Sequence, residues 1–181
     1  MAALNVPPAA GATGAAGAAG AAPAAAPRIR TIDLARSSVR ELNAELHALA
    51  AGADPTGDGP WDGYEVLHPQ GAHAIAAGVS VPVTIDIRGH VGYYCAGMND
   101  GATITVHGNA GTGVAENMMS GVVRVKGSAS QYAGATGRGG LLVIEGDAAG
   151  RCGISMKGVD IVVGGSVGHM SAFMGQAGRL L

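Results

Sequence analysis

Thr84-Ile-Asp-Ile-Arg-Gly89, Thr103-Ile-Thr-Val-His-Gly108, Val122-Val-Arg-Val-Lys-Gly127, Leu141-Leu-Val-Ile-Glu-Gly146 and Asp160-Ile-Val-Val-Gly-Gly165 follow one another at a constant step of nineteen residues. Each stretch keeps apolar residues at two alternate positions (Ile85/Ile87, Ile104/Val106, Val123/Val125, Leu142/Ile144 and Ile161/Val163), as a strand with one buried face does, and each ends on a glycine. Fixed-period self-similarity of about twenty residues is the mark of a solenoid. Strands without a helical period wind as a β-helix, one coil per repeat. The expected fold is all-β, a right-handed parallel β-helix with a 19-residue coil, preceded by a short strand and one amphipathic helix. Gly89, Gly108, Gly127, Gly146 and Gly165 mark the corner where a side chain would clash with a neighbouring coil or demand φ > 0. Coils stack at about 4.8 Å, so residues nineteen apart form columns.

Working outward, Tyr64 to Pro82 is also nineteen residues long and aligns Val66 with Ile85, although Gln70 stands in the glycine column. It reads as a degenerate first coil, the atypical repeat that closes a solenoid end. Five regular coils follow over 83–177, and Gly178 opens an incomplete sixth. Leu180 aligns with Ile161, which places residue 181 inside a strand whose free edge a partner chain or further coils would cover.

Before the coils, Arg28 to Leu34 has strand character. Ser38-Val-Arg-Glu41 is a capping box, and Val39, Leu42, Leu46 and Leu49 follow at helical spacing until Gly52. Residues 28–63 thus form a strand–helix arm and a loop rich in Asp, Gly and Pro. Residues 1–27 are almost wholly Ala, Gly and Pro, a composition expected to be disordered and without the basic start of a secretory signal.

Composition agrees with a narrow aliphatic interior: 32 glycines and 3% aromatic residues in 181. A net charge of −2 with 13% charged residues leaves no electrostatic footprint for nucleic acid, and no apolar window is long enough to span a bilayer. Cys95 and Cys152 fall in one column three coils apart, roughly 14 Å, beyond the reach of a disulfide. Two reduced, inward thiols suit a cytoplasmic protein.

The outward columns hold the candidate chemistry. Arg88, His107, Lys126 and Glu145 make a polar column in which Lys126 and Glu145 can pair. Val122, Leu141, Val143 and Val162 make an outward apolar patch, a possible interface that either the helix or a partner subunit should cover. His90, His107 and His169 share no column, so no metal site forms by stacking. Gly111-Thr-Gly113 and Gly137-Arg-Gly139-Gly140 open no helix and lack Gly-Lys-Ser/Thr, so they are not phosphate loops. The methionines bunch in the turns as gap-fillers. No nucleophile stands beside a base and an orienting group. The expectation is therefore no catalytic, cofactor-binding or metal residue in this chain.

The coil motifs Gly89-His-Val-Gly92, Gly108-Asn-Ala-Gly111 and Gly165-Ser-Val-Gly168 resemble the glycine-rich (GXGXG) β-helix domain of the glutamate synthase large subunit. That domain also occurs as a subunit of formylmethanofuran dehydrogenase and formyltransferase/hydrolase complexes. Gly89 to Asn99, Val114 to Gly121 and Cys152 to Asp160 look most like the stand-alone β-helix subunit of N-methylglutamate synthase. The resemblance spans Arg28 to about Gly178. It implies a non-catalytic scaffold in a hetero-oligomer that joins methylamine and glutamate during methylamine utilisation. Its implied partners are a glutamine-amidotransferase-like subunit and a synthase-like subunit carrying FMN and an iron–sulfur cluster. A β-helix subunit of a formyl-transferring complex, and a self-contained β-helix hydrolase or lyase using Asp86, Arg88, His107, Arg124 and Lys126, are the alternatives.

Overall fold

A computed structural model describes residues 26–54, 57–59 and 61–181. The tail expected over 1–27 therefore lies almost entirely outside the described residues. The chain forms one sheet of eight parallel strands in sequence order: β1 (Ile29–Asp33), β2 (Gly63–Leu67), β3 (Thr84–Arg88), β4 (Thr103–Val106), β5 (Val122–Val125), β6 (Leu141–Ile144), β7 (Lys157–Val163) and β8 (Ala177–Leu180). A single helix among the described residues, α1 (Val39–Ala50), joins β1 to β2.

From β3 to β7 every strand pairs with the residue nineteen positions on: Ile85 with Ile104, Val123 with Leu142, Leu142 with Ile161. A second column of bridges runs Val91, Ala110, Ala129, Ala148, Val167. Together they close each coil, and the β-solenoid is the observed fold. Ile85, Ile87, Ile104, Val106, Val123, Val125, Leu142, Ile144 and Ile161 are wholly buried. Small residues line the opposite wall, where Cys95, Val114, Ala133 and Cys152 are also at 0% exposure. From β3 to β7, aliphatic strands facing a wall of small residues leave no room inside for aromatic rings; the buried Tyr64 belongs to β2, in the end coil.

The first coil departs from the sequence alignment. Tyr64 pairs with Ile85 and Val66 with Ile87, a step of twenty-one residues, so Val66 does not sit under Ile85. A shift of two keeps every side chain on its face, and the apolar alternation alone cannot distinguish the two registers. β1 extends the sheet beyond β2, pairing Ile32 with Val66.

Helix α1 starts as its sequence dictates. Ser38 Oγ accepts the Glu41 amide at 3.2 Å, and the Glu41 carboxylate accepts the Ser38 amide at 2.7 Å. Leu42 and Leu46 are buried. The helix does not lie over Val122, Leu141, Val143 and Val162. Instead it closes the first coil: Asn43 donates to the Ala74 carbonyl at 2.8 Å and accepts from the Ala76 amide at 3.0 Å, while His47 Nε2 lies 2.8 Å from the Ala77 carbonyl. Backbone groups at the end of a stack have no further coil to bond, and these two side chains supply partners in its place.

The corner glycines are explained by close approach more than by dihedral angle. Only Gly89 of the five has a positive φ, at 142°. A Cβ on Gly127 would meet Asn109 Oδ1, one on Gly146 would lie 2.6 Å from Ser128 Oγ, and one on Gly165 would meet Asp147 Oδ1. Those side chains are there because each accepts a backbone amide of the next coil: Asn109 from Ser128 at 2.9 Å, Ser128 from Asp147 at 3.1 Å and Asp147 from Ser166 at 2.7 Å. His90 begins the series by accepting the Asn109 amide at 2.9 Å.

Candidate functional site

Parallel strands with period-two alternation send Thr84, Asp86 and Arg88 of β3 to the outer face, with Glu65 of β2 and His107 just past β4 beside them. Glu65 accepts from Arg88 Nε at 2.8 Å, and Asp86 Oδ1 lies 2.6 Å from His107 Nε2. Arg88 also reaches the His107 ring, at 3.0 Å from Nε2. The hydrogen bond that Arg88 donates to Glu65 raises the Arg88 pKa above its ordinary value. Next to this group, Ile29, Thr31, Gly63, Glu65 and Thr84 line a groove of about 270 Å³. Gly63 makes the notch, since a Cβ there would stand 3.1 Å from Ile29 Cδ1.

Further along, Glu145 binds both Lys126 at 2.7 Å and Arg124 at 2.8 Å. The Lys126 hydrogen bond, and then that of Arg124, hold its carboxyl below the usual range. Asp160 is likewise lowered by its hydrogen bond with Arg179 on β8. Exposed pairs of this kind contribute little to stability. The five residues that a self-contained hydrolase would use therefore divide into two groups. Asp86, Arg88 and His107 come together with Glu65, whereas Arg124 and Lys126 are joined by Glu145. The Asp86–His107 contact was not evident from the columns, because its partners are twenty-one apart and occupy adjacent columns. A search along diagonals as well as verticals would have found it.

Val122, Leu141, Val143 and Val162 are adjacent on the same outer face, where Val122 pairs with Leu141 and Val143 with Val162. All four are half-buried, and α1 packs elsewhere. His90 and His47 serve backbone hydrogen bonds, His68 pairs with Asp33 at 2.7 Å, and His73 stacks on Tyr93 with ring centres 4.5 Å apart. Among the described residues no three His, Cys, Asp or Glu converge as a metal set. Cys95 and Cys152 are free thiols, and burial pushes them up to about 12 and about 11, far from the range of a reactive thiolate. No described helix is long and apolar enough to cross a membrane.

Compared with known proteins, the chain is similar to Protein GlxC of Rhizobium meliloti (strain 1021), with 63% identity over 69 residues. That stretch is 38% of this chain and 28% of GlxC, so the match spans less than a third of that protein's length. No protein-family model matches the chain. No solved structure matches it either.

Proposed function

We propose that this chain is a structural subunit of a glutamate-synthase-like enzyme complex, specifically N-methylglutamate synthase, which joins methylamine and glutamate. The observation that carries the reading is the glycine-cornered coil of nineteen residues, repeated in register. It is the unit on which the resemblance to the glutamate synthase β-helix rests. A stiff stack of this kind offers long, flat faces on which catalytic subunits can be held at fixed separation. The glutamine-amidotransferase-like and synthase-like subunits carry the chemistry, and the FMN and iron–sulfur cluster belong to the latter. This chain has two cysteines in all, too few for the four thiolates of a typical cluster, and both are buried.

One arrangement favours a different reading. Asp86 lies beside His107 at the edge of the groove next to Thr84, so an acid–base pair meets a cavity there, as a self-contained hydrolase would need. The test is methylamine-dependent N-methylglutamate formation by the two other subunits, with and without this chain. On the scaffold reading, activity needs all three, and Asp86→Asn leaves the turnover unchanged. Hydrolase or lyase activity from this chain alone, lost in Asp86→Asn, would overturn it.

A further inference from the structure

Charge is distributed unevenly along the solenoid. Residues 1–120 contain five Lys and Arg and ten Asp and Glu, whereas residues 121–181 contain six and three. The outer face changes at the same place. On β3 and β4 its side chains are Thr84, Asp86, Thr103 and Thr105; on β5 to β7 the aliphatic Val122, Leu141, Val143 and Val162 take over. The aliphatic zone is bordered mainly by cations, the one carboxylate within it, Asp160 beside Leu141, being paired with Arg179. Arg124 and Lys126 share the one carboxylate of Glu145. Arg138 and Lys157, both exposed, stand three residues ahead of Leu141 and Asp160, where the chain turns into the strands.

A second copy of this chain is a poor occupant of that zone. Stacked with axes parallel, two copies would bring aliphatic side chains together but set the cations against one another. With axes antiparallel about a two-fold through β6, Val122, Leu141, Val143 and Val162 would again meet one another, but the cations bordering them would still face cations. Residues 1–25 cannot complement it, having no acidic side chain, and α1 is committed to the first coil. We infer that the outer face of β5–β7 docks a different protein chain, one presenting an apolar strip bordered by Asp and Glu. This rests on the scaffold reading and assigns it a face. Apolar contact at the centre supplies affinity, while the bordering charges set orientation and association rate.

The experiment measures binding of the full chain to the amidotransferase-like and synthase-like subunits, with Val143→Asp, the double variant Arg138→Glu/Lys157→Glu, and Thr103→Asp as control on the polar zone. Val143→Asp is expected to weaken binding by at least about tenfold. The double variant should weaken it too and flatten its dependence on salt, while Thr103→Asp leaves it unchanged. Thermal melting verifies that each variant is folded. Should Val143→Asp fail to fold, the exposed double variant decides the matter alone. An intact complex with unchanged affinity in the folded variants would overturn this docking face and leave the scaffold reading standing. Absence of any complex with those subunits would overturn both. Self-association of the wild-type chain that disappears in Val143→Asp would identify a second copy as the occupant and overturn the proposal.

Discussion

At the residue scale, the corner is a set of interlocking pairs, each made of one coil's acceptor side chain and the next coil's missing Cβ. Gly127→Ala drives a methyl group into Asn109 Oδ1, and overpacking of this kind costs about 1–3 kcal/mol. Urea denaturation should show that loss, and in an Asn109→Ala background it should shrink by about 0.5 kcal/mol or more, since residues in contact couple. Equal losses in both backgrounds would mean the glycine serves the backbone and not the neighbour. Spacing alone revealed the glycine column. It could not reveal Asn109, Ser128 and Asp147 as the reason, because those residues are chemically dissimilar and share only the ability to accept a hydrogen bond. The interior columns were easier to read, for there every member is apolar or small.

The helix illustrates what can and cannot be read about an element. Its start, its length and its buried positions Leu42 and Leu46 follow from the capping box and the apolar spacing. Its destination does not, because an amphipathic pattern requires some surface without naming one. The structure spends the apolar face on the end of the stack, joined to β1 by Arg30 and Glu45 at 3.1 Å, and leaves the outward valines uncovered. Leu46→Ala should therefore destabilise the whole solenoid by about 2–5 kcal/mol, the usual range for a truncated core leucine. Hydrogen exchange should report it first at Ala76, whose amide is held by the helix residue Asn43. Protection at Ala76 unaffected by the substitution would show that the first coil is stable without its plug. The twenty-one-residue first coil escaped detection for a related reason: Tyr64 and Val66 fit either register, and only the turns after His68 decide between them.

For the whole molecule, the outer face is tied together by carboxylates with cationic or imidazole partners, and this gives stability a pH signature. Asp33 is held below its ordinary pKa by hydrogen bonds from His68 and the Ala35 amide, Glu145 by Lys126 and Arg124, and Asp160 by Arg179. A carboxyl whose folded pKa is depressed contributes stability that is present above its unfolded value, about 4. That contribution is lost as pH falls through the folded value. Urea midpoints should therefore be level near neutrality and decline below about pH 4, with a smaller decline in high salt because these groups are exposed to screening. A midpoint that rises on acidification would contradict the pairings.

The contact between each corner acceptor and the following glycine has a bearing on how such a molecule can change in length. Removing one amino acid from a regular coil would turn every later side chain to the wrong face, and removing two would set acceptors opposite residues that have a Cβ. Only the loss or gain of a complete turn leaves all seams matched. The molecule is thus a ruler with a single graduation, about 4.8 Å, and the distance between bodies fixed to its two ends can be altered only in whole marks.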